Sequence, residues 1–381
     1  MLNTQLLKEQ FVHRFGEMET EAFFSPGRVN LIGEHIDYNG GYVLPAAISL
    51  GITAIVRRRP DEIVRVYSTN YEQEAIITDV NSPFAGEQQG WSKYVTSTLQ
   101  VLKDKGIRLN GADILLGSDL PLGSGLSSSA ALECLIAFIF HQQYYSKYRI
   151  ELAIDAQTAE RKYVGVNCGI MDQFAVSNGK KDHAILLNCE TLEFDYVPAV
   201  FQEYNLVIIN SNKPRALTDS KYNERRAECD KVFGILKQYD PAENLCSIHP
   251  ITLAQLQDEV LYRRAKHAIT ENGRVMQAVN ALQNGNIGLF GLLLTESHQS
   301  LDENYEVSGP ELNTIVHYAT HFEDCAGARM TGAGFGGRCI ALVNKESTDR
   351  FITYVGLKYE YKTGLKADFY ICDMVDGVQQ I

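Results

Sequence analysis

The stretch Pro121-Leu-Gly-Ser-Gly-Leu-Ser-Ser-Ser-Ala-Ala131 brings together residue types able to hold an anion. Gly123 and Gly125 permit a sharp turn and close backbone approach. Ser127, Ser128 and Ser129 occupy positions where helix N-caps belong. An apolar run, Ala112 to Leu116, reads as a strand before the loop, and Ala130 to Tyr144 reads as a helix after it. A helix N-terminus offers unpaired N–H groups and a positive dipole end, so phosphate is the usual guest. A plain turn whose serines only cap the helix has the same spacing. Two familiar phosphate loops do not fit. No lysine stands where G-x-x-x-x-G-K-[ST] requires one, and Ser128 takes the third glycine position of G-x-G-x-x-G.

Other positions offer acid–base and recognition chemistry. Asp172 lies in an apolar context, between Gly169-Ile-Met171 and Gln173-Phe-Ala-Val176, where an unpaired carboxylate is costly. It reads as a general base or charge-orienting group paired with an arginine such as Arg28, or as a structural ion pair or helix cap. Glu34, His35 and Asp37 cluster hydrogen-bonding groups suited to sugar hydroxyls, a pattern shared with solvated polar turns. Ser129 and Glu160 could supply a hydroxyl and a carboxylate to Mg²⁺, although spacing does not pair them. A second glycine loop, Thr331-Gly-Ala-Gly-Phe-Gly-Gly337, either approaches a ligand or simply joins two elements. His317 and His321 share one helix face but lack the glutamate of a zinc-protease motif.

These groups need a frame. With 381 residues, 45% apolar and 22% charged, the chain fits a globular protein of two domains. A net charge of −12 argues against nucleic-acid binding. No signal peptide or long apolar span is visible, and eight scattered cysteines suit reduced thiols in a cytoplasm. Strand-like alternation at 48–59, 63–68 and 74–79 predicts an antiparallel sheet, with helices at 91–105 and 150–164. The segment 27–41 interleaves Val29, Leu31 and Ile32 with polar residues, suggesting a binding loop on a partly buried frame. After residue 200 long helical patterns dominate, followed by the second glycine loop, a strand, a helix and a last strand. The expected domains are 1–200 and 201–381, α+β in class, with a ligand cleft between them.

The chain resembles the galactokinases, within the superfamily of homoserine, mevalonate and phosphomevalonate kinases. Three motifs carry the resemblance in order: P-G-R-V-N-L-I-G-E-H-I-D-Y-N-G-G at 26–41, G-S-G-L-S-S-S-A-A at 123–131 and M-T-G-A-G-F-G-G at 330–337. N-C-G-I-M-D-Q-F at 167–174 and Y-N-E-R-R-A-E-C at 222–229 match as well. The resemblance implies a ribosomal S5-like N-terminal domain and a ferredoxin-like C-terminal domain. It implies phosphorylation of the C1 hydroxyl of galactose by ATP with Mg²⁺, without an obligate protein partner or a membrane. By match, Asp172 would be the base and Arg28 its partner. Glu34, His35, Asp37 and Tyr222 would bind sugar. Gly123, Ser124, Gly125, Leu126, Ser127, Ser128 and Ser129 would wrap the phosphates, with Ser68 and Trp91 near the nucleotide. Ser129 and Glu160 would hold the metal. Two departures stand out: Ile36 replaces a usual threonine, and Arg338, expected at the surface, replaces a common cysteine. The alternatives implied are an N-acetylgalactosamine or other sugar kinase and a non-catalytic sugar sensor. Such sensors can lose the Ser129-Ala130 pair, which is intact here.

Overall fold

The computed structural model describes residues 3–71, 75–80, 90–121, 125–213 and 218–381. The sequence texture suggests one division near residue 200, but contacts interleave two compact units along the chain. The first unit holds the chain up to Arg28, Ala47–Lys181 and Met374–Ile381, and the second holds Val29–Ala46 and Asp182–Asp373. Backbone pairing explains the return of the C-terminus, since Gln379 and Gln380 pair with Phe24 and Phe23 at the edge of the first unit's sheet.

That sheet has six strands in the order Gln379–Gln380, Glu21–Asn30, Pro45–Arg58, Ala112–Ser118, Ile63–Ser68, Ala75–Asp79. It corrects the expected all-antiparallel arrangement. Ala112–Ser118 inserts beside Pro45–Arg58 in antiparallel fashion and runs parallel to Ile63–Ser68. Burial on both faces is the cause: Ala112, Ile114, Leu115 and Leu116 are all buried, as a central strand requires. This strand delivers the chain to the first glycine loop.

The helix Thr4–Phe15 packs Leu7 and Phe11 against Ala22, Ile55 and Leu115, and Asn3 caps it by accepting from the N–H groups of Gln5 and Leu6. Burial of a phenylalanine such as Phe11 contributes about 2–3 kcal/mol. The loop's own helix, Ser128–Tyr145, buries every residue from Ala130 to Ile139 and so forms a core helix. The helix predicted over 150–164 is α-helical only over Arg149–Thr158, then widens into a π turn, Ala159–Val164, that carries Glu160. Asp172 stands in the first turn of a helix, Met171–Asn178, where the sequence suggested only a short apolar segment.

In the second unit, four antiparallel strands lie in the order Cys325–Thr331, Arg338–Asn344, Tyr204–Asn210, Asp368–Cys372. Numbered along the chain this is 4-1-3-2 from the other edge, the ferredoxin-like order. The strand Cys325–Thr331 was not foreseen, because Gly327 and Arg329 disguise its alternation. The helix Ile287–Glu303 lies against it at two glycines, and a Cβ on Gly327 would stand 1.9 Å from the Gly291 carbonyl oxygen. Tyr42–Val43, His183–Asn188 and Phe194–Pro198 form a small second sheet. All eight cysteines are free thiols. Among the described residues no helix is long and apolar enough to cross a membrane.

Candidate active site

In the first unit, the strand Glu21–Asn30 brings Arg28 to the glycine loop. Gly27 allows this approach, since a Cβ there would lie 2.8 Å from the Leu126 carbonyl oxygen. The Arg28 N–H then donates to that carbonyl (3.2 Å), and its Nη1 donates to the Gly125 carbonyl (2.8 Å). The remaining edge of the guanidinium meets Asp172 in a fork, Nε to Oδ1 and Nη2 to Oδ2, both at 2.8 Å. Bidentate pairs of this kind fix orientation as well as charge. Arg28 is almost covered, whereas the Asp172 side chain keeps 31% of its surface exposed.

Ser127 corrects the capping expectation. It precedes the helix with φ of 58° and makes no side-chain cap bond. Its hydroxyl instead donates to Asp172 Oδ2 at 2.5 Å. Loop, arginine and carboxylate thus form one network. Leu126 is buried, so its contribution is its carbonyl. Gly123 and Ser124 lie outside the described residues.

Ser68, Trp91, Ser128 and Ser129 line one cavity of about 290 Å³ with Tyr71 and Leu132. Tyr71 and Trp91 stack, ring centroids 6.4 Å apart, giving the cavity a flat aromatic wall. Tyr71 carried no sequence signal of its own.

Behind Asp172 the polar groups are short of donors. The Gln173 amide donates to Glu160 Oε2 (2.6 Å) and Glu133 Oε2 (3.3 Å), and Ser129 also hydrogen-bonds Glu160. Glu133 Oε1 and Gln173 Oε1 are buried without a partner among the described residues. Burial, then the Glu160 charge, pushes Glu133 well above the usual carboxylate range. Glu160 is raised by burial and by Asp172. A corner rich in oxygen acceptors and poor in donors fits a hard cation, which Ser129 and Glu160 would hold. Among the described residues no group of three or more His, Cys, Asp or Glu suits a metal, so such a cation would rely on few protein ligands.

The second unit holds the sugar-type cluster. Glu34 is 3% exposed and both its oxygens are engaged. Asn30 Nδ2 (2.6 Å) and Arg329 Nη1 (2.7 Å) donate to Oε2, while Thr331 Oγ1 (3.0 Å) and the Gly332 N–H (2.7 Å) donate to Oε1. Arg329 escaped the sequence reading, and Thr331 was read only as the start of the second glycine loop; their i, i+2 spacing on one strand was the available signal. His35 is buried with its ring 5.6 Å from Tyr222, and Tyr38 lies 5.3 Å from Tyr222. Burial, then the nearby His267, lowers His35 to about 3, and burial lowers His267 to about 4. His267 donates from Nε2 to the Glu34 carbonyl (3.1 Å).

Asp37 opens a short 3₁₀ turn and lines a cavity of about 290 Å³ with Tyr38 and Asn39. Ile36 is fully buried, packed where a Cβ on Gly41 would meet it at 2.9 Å. Arg338 is 2% exposed, which corrects its expected surface position. It opens a central strand, paired with Asn210 on one side and Thr331 on the other.

Known proteins are similar to this chain along its whole length. The galactokinase galactose-binding signature covers residues 9–58. The GHMP kinases N terminal domain covers 93–180, and the GHMP kinases C terminal domain covers 278–360. The chain is 44% identical to a galactokinase of Exiguobacterium sibiricum, over 100% of this chain and 99% of the relative. It is also 44% identical to a galactokinase of Enterococcus faecalis, over 99% of each. The structure of Lactococcus lactis galactokinase complexed with galactose superposes with a TM-score of 0.93 at 41% identity, covering 99% of this chain and 100% of that one. A Methanococcus jannaschii mevalonate kinase shares the fold at a TM-score of 0.67 and 20% identity, covering 95% of this chain and 100% of that one.

Proposed function

This chain belongs to the galactokinase family of the GHMP kinases, and from that premise we infer that it transfers the γ-phosphoryl group of ATP to the C1 hydroxyl of α-D-galactose. Galactose 1-phosphate and ADP are the products. The observation that carries the residue assignment is the forked Arg28–Asp172 pair, tied to the glycine loop through Gly125 and Ser127.

Phosphoryl transfer passes through a loose transition state, so positioning and charge supply most of the catalysis. Asp172 accepts or orients the C1 hydroxyl proton with its exposed edge, and Arg28 holds that carboxylate in place while adding positive charge beside the transferring group. The loop from 123 to 129 receives the phosphates, and the cavity of Ser68, Tyr71 and Trp91 receives the base. Mg²⁺, held by Ser129 and Glu160, would neutralise phosphate charge on a protein that is itself −12. Asp37, on the loop frame set by Glu34 and His35, and Tyr222, on the helix Thr218–Leu236 beside it, recognise sugar hydroxyls. Eight free thiols suit a reducing cytoplasm.

The test is ADP release with Mg·ATP against galactose, N-acetylgalactosamine, glucose and mevalonate. Turnover on galactose that EDTA abolishes supports the reading. Faster turnover on N-acetylgalactosamine, or galactose binding without ADP release, defeats it.

A further inference from the structure

The hydrogen bonds around His35 form a chain whose direction is fixed at one end. His35 Nε2 lies 3.1 Å from the Ala333 carbonyl oxygen, which can only accept, so Nε2 carries the proton. Buried with its ring kept neutral, His35 has Nδ1 as an acceptor. Tyr38 Oη, 2.9 Å from Nδ1, therefore donates to it. The Tyr38 oxygen then accepts from Tyr305 Oη at 2.9 Å, and the Tyr305 oxygen accepts from the Cys229 thiol at 3.0 Å. The order from Cys229 to Ala333 is one-way. Its reverse would set a bare Nε2 against a carbonyl oxygen, acceptor against acceptor.

The backbone at this point needs support. His35 has φ of 61°, a left-handed conformation that costs a non-glycine residue on the order of 1–3 kcal/mol unless its surroundings impose it. Asn39 Nδ2 donates to the His35 carbonyl (2.8 Å), and the ring chain ties the other end to the second glycine loop. Tyr305 and Cys229 are fully buried and Tyr305 packs against the His35 ring at 5.0 Å; Tyr305 lies outside the motifs of the resemblance, and Cys229 closes the one at 222–229 without a role read for it.

We propose that Tyr305 and Cys229 are positioning residues for sugar recognition: their hydroxyl and thiol complete the chain of donors that holds Tyr38 on Nδ1 of His35, and so help lock the strained Glu34–Asp37 loop to Ala333. This rests on the reading of that loop as the sugar-binding element. Removal of the Tyr305 hydroxyl leaves the buried Tyr38 oxygen without a donor. The Ala333 carbonyl still keeps the proton on Nε2, but the Tyr38 hydroxyl is no longer held on Nδ1, and the loop loses that side of its support.

The experiment combines ¹⁵N-histidine NMR of the full chain, with the His35 signals assigned by their loss in His35→Gln, and steady-state kinetics of Tyr305→Phe. The wild type should show the neutral Nε2–H tautomer. Tyr305→Phe should keep that tautomer but show a shifted Nδ1 signal as its hydrogen bond from Tyr38 weakens, with a galactose KM raised at least fivefold, and kcat and the ATP KM within twofold of wild type. Cys229→Ala should move the same quantities less, and Cys229→Ser, which keeps a donor, should restore them. This pair decides the matter if Tyr305→Phe does not fold. An Nδ1–H tautomer in the wild type overturns the proposal, as does an unchanged galactose KM in a folded Tyr305→Phe or Cys229→Ala. A wild type without galactose turnover would defeat the functional reading instead, while the tautomer would still test the chain of donors.

Discussion

Glu34 in the second unit and Glu160 in the first are both buried carboxylates in motifs of the same enzyme family, and their surroundings differ in kind. Four protein donors fill the oxygens of Glu34, and a fully buried arginine supplies its countercharge. Glu160 shares its neighbourhood with Asp172 and Glu133, and two acceptor oxygens beside it have no donor among the described residues. The Glu34 oxygens are filled before any ligand arrives, although Arg329 Nε and Nη2 are buried without a partner among the described residues. The second arrangement leaves acceptor oxygens unfilled, and under the proposed function a cation arriving with the nucleotide would complete it. Pre-satisfied networks set geometry, and under-satisfied ones mark where a charged ligand is expected.

The largest effect should come from the open corner. Asp172→Asn keeps the size of the side chain but removes the carboxylate, and kcat should fall on the order of a thousandfold with a modest change in galactose KM. Steady-state kinetics check this, and a near-normal kcat would remove Asp172 from the chemistry. Next comes the closed corner. Arg329→Met strands the buried Glu34 charge and should lower unfolding stability by about 3 kcal/mol, read by urea titration. An unchanged midpoint would mean that Glu34 is not saturated as described.

Ser127→Ala removes one donor from Asp172 and should lower kcat about fivefold, near 1 kcal/mol. Its melting temperature should stay close to wild type, because Ser127 makes no cap bond. A large loss of stability with normal kcat would return Ser127 to a capping role.

The smallest effect is in the pH dependence of stability, where individual buried groups pull in opposite directions. His35 and His267 titrate at about 3 and about 4 when folded, below the ordinary 6.5, so the unfolded chain binds protons that the folded chain refuses. Their contribution is full above about 6.5 and fades as pH falls toward those values. Glu133 is raised, so its contribution is full below the ordinary 4.5 and fades as pH rises toward its folded value. Glu133→Gln should therefore gain on wild type in melting temperature from pH 4 to pH 8. Parallel curves would show that Glu133 is not held protonated.

Much of this was legible in the sequence, and the remainder has one physical origin. Periodicity located most helices and strands, including Ile63–Ser68 to the residue, and the motifs located Arg28, Asp172 and the glycine loops. Partners far along the chain escaped it. Arg329 reaches Glu34 across 295 positions, and Ser127 reaches Asp172 across 45. The insertion of Ala112–Ser118 into the sheet, and the burial of Arg338, depend likewise on neighbours that spacing does not reveal. Local pattern reports which face of an element is apolar, whereas the partner of a buried charge is chosen by the fold.

The most direct test of the central claim is a ³¹P NMR spectrum of the product formed from [1-¹³C]galactose and Mg·ATP, run in parallel with Asp172→Asn. A phosphomonoester signal coupled to C1, at equal enzyme concentration far slower to appear with the variant, is the predicted result. Phosphate on another hydroxyl, or equal rates from both proteins, would contradict it.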